Sequence, residues 1–531
     1  PLRSLRRASP WTAASSRRRS VFFQSTDPLG SLRAPYRGLH EAISLGTSGA
    51  AIPGFNRSDL AHCRADTMTK EIRAPDRTKR ETKMSTPSAA EMRQILASRK
   101  IERVVVLGAN GTMGYGSAAL FTQAVPEVTF LARTKAKAEA GLAAAIKQVR
   151  SPTVATRSKT GSYDDDLASA CANADLIFEA LTEDFDLKKD IFDKIEAARR
   201  DDSIVATVTS GLSINSLCEG RSDSFRKNFL GLHFFNPPNV IVGTELIAGN
   251  DTDPAVVDFV DAFSQIRLGR EMVRTYDTPA FAGNRVGFKV MNECAQLAEE
   301  VGVLLADKLV GPYTGRAMTP LTTVDLVGWD IHRAIVDNVY ANTSAATDEA
   351  YETNKLPDYM AKLIDKGVLG NKSGSGFFKK DGKKRLVLDP ASGNYTPEEE
   401  IKLPDLGYID QVAALHRDGR YQEGMQVFLN AEGEYAKKAR GVIAGYIAYA
   451  FQRVGEVTET IDGIDRIMGM GFNAAPPSVL VDTIGAQGTV DMIAEAGLAV
   501  PSALAEAAKT GEPKRFFHHR RINVGKFFVA E

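Results

Sequence analysis

The stretch Arg103-Val-Val-Val-Leu-Gly108-Ala-Asn-Gly-Thr-Met-Gly114 decides the fold of the first half of the chain. Its apolar, β-branched run predicts a buried strand, and the glycines after it predict a turn. The small residues from Ser117 to Phe121 predict a helix directly afterwards. Strand, glycine turn and helix in this order are typical of dinucleotide binding, because glycine lets backbone N–H groups approach a pyrophosphate at the helix N-terminus. We therefore expect a Rossmann-type α/β domain over residues 98–280.

The glycine turn and the end of the next strand are the expected cofactor contacts. The turn has the spacing GxxGxxG, one residue longer than the common GxGxxG. A second strand over residues 127–131 should end in an acid that accepts from the ribose 2′-hydroxyl, but Ala132 and Arg133 stand there. NADP is therefore an alternative to NAD, unless Arg133 and Lys135 merely begin a solvated helix. The predicted contacts of this region are Gly108, Asn110, Gly111, Thr112, Met113, Gly114 and Arg133.

Polar residues follow two further predicted strands. The buried run over residues 175–180 leads to Glu183 and Lys188 at the start of an amphipathic helix. The run over residues 203–207 ends in Thr-Ser210-Gly. In an open parallel sheet, ligands bind beyond the carboxyl ends of the strands, so Ser210 is a candidate contact. A serine at a strand end is more often only a helix cap.

The segment Gly231-Leu-His-Phe-Phe-Asn-Pro-Pro-Asn-Val-Ile-Val-Gly-Thr-Glu245 carries one candidate base and its candidate partner. An apolar run delivers His233 to a strand end, and the Asn-Pro-Pro turn leads into a second apolar run that carries Glu245. Histidine titrates near neutral pH, and a carboxylate bonded to one ring nitrogen leaves the other free to accept a proton. The structural alternative is a histidine that is simply satisfied within the core.

Composition limits the kind of partner and the kind of site. Formal charge balances at 66 basic and 66 acidic residues, which argues against a nucleic acid or a membrane as principal partner. Four cysteines lie far apart without a CxxC pair, so we expect neither a disulfide framework nor a metal site. The longest uncharged run near the C-terminus, residues 441–451, is far shorter than the roughly 20 residues that span a bilayer, so we predict a buried helix there.

Residues 1–85 differ in composition from everything after them. The first forty hold eight arginines, no lysine and one aspartate, with no apolar period. We expect this stretch to be disordered or a non-native N-terminal extension translated ahead of a start at Met68 or Met84. An Arg- and Ser-rich leader can also be a mitochondrial transit peptide. The expected location is cytoplasmic, with a mitochondrial one as the alternative.

Five motifs in fixed order relate the chain to a known family. From Arg103 to about Lys380 it resembles the 3-hydroxyacyl-CoA dehydrogenases, including the 3-hydroxybutyryl-CoA dehydrogenases. The motifs are FEALTED, TVTSGLSI, GLHFFNPP with Glu245 twelve residues past His233, DTPAFAGNR and NKSGSGFF. The resemblance implies NAD-dependent interconversion of 3-hydroxyacyl-CoA and 3-oxoacyl-CoA, as in fatty-acid β-oxidation or butanoate metabolism. The family usually has Asp where this chain has Ala132, which keeps NADP as the alternative cofactor.

The resemblance also implies a role for individual residues. His233 would be the general base, Glu245 its orienting partner and Ser210 a donor to the substrate oxygen, with Asn284 a second polar contact to the substrate. The implied cofactor contacts are Glu183, Asn236 and the weaker candidate Lys372, and Lys188 would contact the cofactor or the acyl-CoA.

The helical half of the chain contains one motif twice. Pro320 and Pro477 are each followed at the same offsets by Val-Asp and then by Gly. We predict two tandem all-α domains, residues 281–385 and 405–508, with a polar linker between them and a tail over 509–531. A chance similarity of one short motif is the alternative. Some relatives carry this domain in tandem, and the second copy would be an internal partner of the first, leaving a monomer or a dimer.

Two other functions remain open from the sequence. One is a non-catalytic nucleotide-sensing module on the same fold. The other is a 6-phosphogluconate-type dehydrogenase, which requires a catalytic lysine near the helical boundary, where Lys289 is the close candidate.

Overall fold

A computed structural model describes residues 87–511, 515–525 and 528–530. The predictions made for residues 1–85 fall outside these ranges. Within the described ranges, no helix combines the length and the apolar character needed to cross a membrane.

One eight-stranded sheet organises the N-terminal domain. Its strand order is β3-β2-β1-β4-β5-β6-β7-β8. Strands β1 to β6 run parallel, β7 pairs with β6 antiparallel, and β8 pairs with β7 parallel. The strands are β1 Arg103–Leu107, β2 Glu127–Ala132, β3 Ser158–Ser162, β4 Leu176–Glu179, β5 Ile204–Thr207, β6 Phe229–Phe234, β7 Gly243–Ala248 and β8 Glu271–Thr275. This is the predicted Rossmann-type order, extended by two strands of reversed direction.

Helices cover both faces of the sheet, so each central strand is buried on both sides. In β1, Val104 and Val106 join one apolar core while Val105 and Leu107 join the other. The alternation follows from the two-residue period of a strand. The helices are α1 Ala89–Ala97, α2 Thr112–Ala124, α3 Lys135–Val149, α4 Pro152–Thr156, α5 Tyr163–Asn173, α6 Phe185–Ala198, α7 Ile214–Cys218, α8 Asp223–Lys227 and α9 Pro254–Leu268.

The remainder of the described chain is mainly helical. Its helices are α10 Gly283–Val301, α11 Val303–Leu309, α12 Pro320–Val327, α13 Trp329–Ala341, α14 Asp358–Ile364, α15 Gly407–Arg417, α16 Tyr421–Asn430, α17 Glu434–Gln452, α18 Ile461–Met470, α19 Pro477–Ile484, α20 Ala486–Glu495 and α21 Ser502–Thr510. Short strands complete it: β9 Phe378–Asp381, β10 Lys384–Leu388, β11 Tyr395–Pro397, β12 Ile522–Val524 and β13 Phe528–Ala530. We use "first helical unit" for residues 281–385 and "second helical unit" for the described residues from 405 onward.

The two units repeat one specific contact, which supports the predicted duplication. The Asp325 carboxylate accepts hydrogen bonds from the backbone N–H groups of Phe377 and Phe378, each at 2.9 Å. Asp482, at the same offset from its proline, accepts from the consecutive N–H groups of Phe516 and Phe517, at 2.8 and 2.9 Å. Both carboxylates therefore hold an equivalent Phe-Phe segment.

This repeat corrects the predicted end of the second unit. The boundary at residue 508 left residues 509–531 as a tail. Phe517, Ile522 and Val524 are buried and belong to the same core as both helical units. The core requires these apolar side chains, so the second unit extends at least to residue 525.

Both helical units share one apolar core rather than two. Val286 and Met291 of α10 lie in the same buried cluster as Ile447 of α17 and Met468 of α18. The uncharged run over residues 441–451, predicted to be a buried helix, is the middle of α17, and its side chains from Ile443 on are buried. The long helix of each unit therefore covers the other.

Candidate active site

The glycine turn brings the backbone close to its neighbours at two positions. Gly108 has φ +73°, and a Cβ there would lie 2.1 Å from the carbonyl oxygen of Ala180. A Cβ on Gly114 would lie 2.1 Å from the carbonyl oxygen of Gly108. Gly111 is less restricted, because its nearest contact to an added Cβ would be 3.4 Å. The additional residue of GxxGxxG therefore lies at the outer edge of the turn. The close backbone contacts at Gly108 and Gly114 are kept.

The N-terminus of α2 fits an anionic group. Its N-cap is Gly111, no side chain caps it, and its first turn carries no acidic residue. Its first N–H groups are therefore open to a pyrophosphate, which the positive end of the helix dipole favours. Asn110, Gly111 and Thr112 are exposed and Met113 is half-buried. These features suit the dinucleotide that the turn predicts.

The ribose end lacks a carboxylate at the expected position. Ala132 ends β2 fully buried, while Arg133 and Lys135 are exposed. Lys135 begins α3 as the alternative interpretation expected. Sequence reasoning missed Tyr163, whose hydroxyl accepts a hydrogen bond from the Gly108 N–H at 2.8 Å. Burial raises the pKa of Tyr163, so the phenol stays protonated and neutral beside the turn.

His233 and Glu245 form a cross-strand pair. They lie directly opposite each other in the antiparallel register of β6 and β7, and His233 Nδ1 is 2.7 Å from Glu245 Oε2. Both side chains are buried, Glu245 completely. An ionised carboxylate only accepts hydrogen bonds, so Nδ1 carries the proton and Nε2 is left as the acceptor.

The second oxygen of Glu245 is fixed by the start of α10. Oε1 accepts from the backbone N–H groups of Ala282 and Gly283, each at 2.9 Å. Three hydrogen bonds thus hold a carboxylate that is removed from water, which is the condition for a buried charge to persist. The sheet and the first helical unit meet at this carboxylate.

Hydrogen bonds continue from α10 to the end of β5. Asn284 Nδ2 donates to the carbonyl oxygen of Ser210 at 3.0 Å. The Ser210 N–H donates to Glu183 Oε1 at 2.8 Å. The contacts from His233 through Glu245, Asn284 and Ser210 to Glu183 therefore form one connected set. The structure brings together five of the predicted site residues.

Lys188 lies beneath this set rather than at its surface. Its Nζ is 2.7 Å from Glu179 Oε1 and 3.6 Å from Glu183 Oε2, and its side chain is 0% exposed. Glu179 also accepts from the Thr207 hydroxyl at 2.5 Å. The contact of Lys188 with the cofactor or the acyl-CoA, which the resemblance implies, stays a prediction. Glu179 was missed as a participant, although it belongs to the FEALTED motif.

The other predicted positions lie around or apart from this set. Asn236 is exposed two residues after β6. Lys372 is exposed and ion-paired with Asp330 in the first helical unit, apart from the connected set. Asn338 of α13, which sequence reasoning missed, donates to the carbonyl oxygen of Gly211 at 2.8 Å and joins that unit to the loop after β5.

Lys289 is a buried, ion-paired side chain and not a free amine. It is buried, and its Nζ lies 2.6 Å from Glu293 and 5.7 Å from the centre of the Tyr449 ring. That ion pair argues against the 6-phosphogluconate-type alternative, which depended on this lysine. Among the residues placed by the structure, no cluster of three His, Cys, Asp or Glu side chains could hold a metal ion.

Two family models match consecutive parts of the chain. The NAD binding domain of 3-hydroxyacyl-CoA dehydrogenase matches residues 103–278, and the C-terminal domain of the same enzyme matches residues 281–380. The first match agrees with the predicted NAD cofactor.

Curated relatives carry the same family name. A probable 3-hydroxyacyl-CoA dehydrogenase of Bacillus subtilis is 30% identical over 444 residues, which are 78% of this chain and 55% of the relative. A second, of Deinococcus radiodurans, is 33% identical over 53% of this chain and 83% of the relative. The chain thus spans about half the length of the first of these proteins.

A solved structure shows the same fold. The 3-hydroxybutyryl-CoA dehydrogenase of Escherichia coli aligns over 78% of this chain and 99% of its own, with a TM-score of 0.57 and 20% sequence identity. The two consecutive domain matches and the Deinococcus relative show that the chain belongs to the 3-hydroxyacyl-CoA dehydrogenase family.

Proposed function

We propose that this protein interconverts 3-hydroxyacyl-CoA and 3-oxoacyl-CoA with NAD. The observation that carries the proposal is the buried His233–Glu245 pair, held at 2.7 Å with the other carboxylate oxygen on two backbone N–H groups. When bound, the nicotinamide accepts or supplies a hydride at carbon 3 of the acyl group. The protein must then move one proton at the neighbouring oxygen.

His233 is the group that moves this proton. Because Glu245 occupies Nδ1, Nε2 is available to take the proton of the substrate hydroxyl during oxidation and to return it during reduction. The anionic Glu245 stabilises the imidazolium that forms, and its three hydrogen bonds keep the ring in one orientation. The pairing therefore defines both the tautomer and the direction of the base.

Ser210 and Asn284 would hold the substrate oxygen. The backbone of Ser210 is fixed at both ends, through its N–H to Glu183 and its carbonyl to Asn284. No described residue hydrogen-bonds the Ser210 hydroxyl, so it is available to donate to the substrate. The cofactor would be contacted by Glu183, Asn236 and the glycine turn. The buried Lys188 forms an ion pair with Glu183.

We further propose NAD rather than NADP as the preferred cofactor. Support comes from the family match to an NAD-binding domain. Ala132 and the exposed Arg133 oppose it, because no carboxylate repels a 2′-phosphate there and a guanidinium could bind one. The Ala132→Asp variant combined with Arg133→Gln tests this preference.

The second helical unit is proposed as an internal partner of the first. Its α17 shares a buried core with α10, so one chain covers an apolar face that a single-unit enzyme would cover with a second chain. A monomer in sedimentation experiments supports this proposal, and an obligate dimer contradicts it. The cytoplasmic location, with the mitochondrial alternative, stays a prediction.

The experiment is an absorbance assay at the reduced-nicotinamide band with acetoacetyl-CoA, run separately with NADH and NADPH. We expect turnover by the wild type and a loss of about 10²–10⁴-fold in kcat for His233→Asn, the usual contribution of a general base. His518→Asn is the matched control, since His518 is exposed in the C-terminal segment. No turnover by the wild type with either cofactor on any 3-oxoacyl-CoA contradicts the proposed function.

A further inference from the structure

The start of α10 donates three of the hydrogen bonds that hold the site together. Its N-terminal N–H groups, of Ala282 and Gly283, hold Glu245, and Asn284 holds the carbonyl of Ser210. The next residue, Arg285, has no part in the proposed chemistry. Its side chain is nevertheless 0% exposed, and its guanidinium lies in a dense polar cluster.

The partners of Arg285 in that cluster lie outside α10, the long helix of the first helical unit. Arg285 Nε donates to the Tyr449 hydroxyl at 2.5 Å, and Nη2 donates to Asp348 Oδ2 at 2.7 Å and to Glu456 Oε1 at 3.1 Å. The Tyr449 hydroxyl itself donates to Asp348 at 2.8 Å. Tyr449 and Glu456 belong to the second helical unit, so Arg285 joins the two units.

The same guanidinium is bonded to a strained turn. Ala280 and Phe281 are non-glycine residues with φ of 60° and 54°, and both are fully buried. Arg285 Nη1 donates to the carbonyl oxygen of Pro279, immediately before this pair, at 3.3 Å. A left-handed conformation of this kind persists only where the surroundings fix it. This turn aims the two N–H groups at Glu245.

Further contacts from the second unit flank the turn. The Tyr276 N–H donates to the carbonyl oxygen of Val457 at 2.9 Å. The Phe472 ring lies 5.4 Å from that of Phe235, which lies 4.8 Å from the His233 ring. The second unit therefore contacts the segment just before the strained turn and also the Phe235 ring that packs against His233.

We propose that the second helical unit positions the proton-transfer site, with Tyr449 and Glu456 acting through Arg285 as positioning residues. They hold the strained turn, the turn holds Glu245, and Glu245 orients His233. The expected loss of kcat rests on the proposed function, whereas the expected loosening of the turn does not. A second unit that merely covers apolar surface would need none of these polar contacts.

The test compares two phenylalanine variants of one helix. Tyr449→Phe removes the hydroxyl that bonds Arg285 and Asp348, and Tyr446→Phe removes an equally buried hydroxyl of α17 that donates to the carbonyl of Ala475. Tyr446→Phe loses one buried hydrogen bond and Tyr449→Phe loses two, so Tyr449→Phe should lose more thermal stability than Tyr446→Phe. We expect kcat to fall by about tenfold or more in Tyr449→Phe only, with KM and NADH affinity within about twofold of wild type.

A second readout does not depend on turnover. Hydrogen–deuterium exchange of a peptide covering residues 279–286 should accelerate in Tyr449→Phe and stay at the wild-type rate in Tyr446→Phe. If wild type shows no turnover, the proposed function fails and the exchange result alone decides the positioning role. Equal exchange and equal kcat in the two variants overturn the inference, as does a Tyr449→Phe effect confined to KM.

Glu456 provides the same comparison if Tyr449→Phe does not fold. Its side chain is partly exposed, so Glu456→Gln should be tolerated, and Glu459→Gln nearby on the exposed surface is its control. Faster exchange over residues 279–286 in Glu456→Gln alone supports the inference. Identical exchange in both glutamine variants overturns it.

Discussion

Replacing Glu245 by glutamine is a sharp perturbation, because the surroundings determine which way the amide must point. Glu245 Oε1 accepts from the N–H groups of Ala282 and Gly283. With the amide NH2 on that side, both donors would be unsatisfied and buried, at about 1–3 kcal/mol each. The amide oxygen therefore takes the place of Oε1, and the NH2 group faces His233 Nδ1.

That orientation exchanges the tautomer of His233. A donor facing Nδ1 requires Nδ1 to accept, so the proton moves to Nε2 and the nitrogen that should receive the substrate proton is blocked. A wrong tautomer in another enzyme with a base–carboxylate pair costs about 10⁴ in kcat. We expect Glu245→Gln to lose about 10²–10⁴-fold in kcat, the contribution of the base itself, with little change in KM.

The assay is steady-state oxidation of 3-hydroxybutyryl-CoA with NAD, the direction in which His233 receives the substrate proton, with NADH affinity measured separately. Glu271→Gln is the control, because it makes the same substitution on the neighbouring strand β8, where Glu271 pairs with Arg466. Its kcat should stay within about twofold of wild type. A Glu245→Gln enzyme within about tenfold of wild type would refute the tautomer argument.

Three further predictions concern the turn, the ribose end and stability. Gly108→Ala should abolish NADH binding because its φ and its contacts exclude a Cβ, while Gly111→Ala should bind NADH nearly normally; similar affinities in both variants contradict the close-packed turn. Ala132→Asp with Arg133→Gln should raise the NAD:NADP ratio of kcat/KM at least about tenfold, about 1.4 kcal/mol, and an unchanged ratio means that this end of β2 does not read the ribose. Burial raises the pKa of Asp465 from 3.8 to about 8, so the folded protein keeps a proton that the unfolded chain releases. Its contribution to stability therefore falls as pH rises from about 4 to about 8, and Asp465→Asn should flatten that part of the unfolding free-energy profile; an unchanged slope rejects this assignment.

The sequence was sufficient for the parts that depend on local pattern. The apolar run before Gly108 and the helix after Gly114 predicted the nucleotide-binding unit, because strand and helix periods and glycine turns are local properties. The cross-strand pairing of His233 and Glu245 was also within reach, since an antiparallel connection can place residues twelve apart opposite each other. The tandem helical units stay a prediction from a repeated proline offset, supported by the matching contacts of Asp325 and Asp482.

What the sequence did not predict depends on contacts between distant segments. Tyr163 meets Gly108 across 55 residues, and Arg285 meets Tyr449 across 164 residues. No periodicity or spacing marks such pairs, because they arise only when distant segments of the chain pack together. The end of the second unit was placed too early for the same reason, since Ile522 lies in polar sequence and is buried only by packing on distant helices.

Transfer of the hydride can be followed directly with an isotope label. Acetoacetyl-CoA is reduced with NADH deuterated at both C4 positions of the nicotinamide, and the product is analysed by mass spectrometry. We expect 3-hydroxybutyryl-CoA with a single deuterium on carbon 3 from the wild type, and a rate of formation about 10²–10⁴-fold lower with His233→Asn. A product without deuterium at carbon 3, or one formed equally fast by the variant, would contradict this expectation.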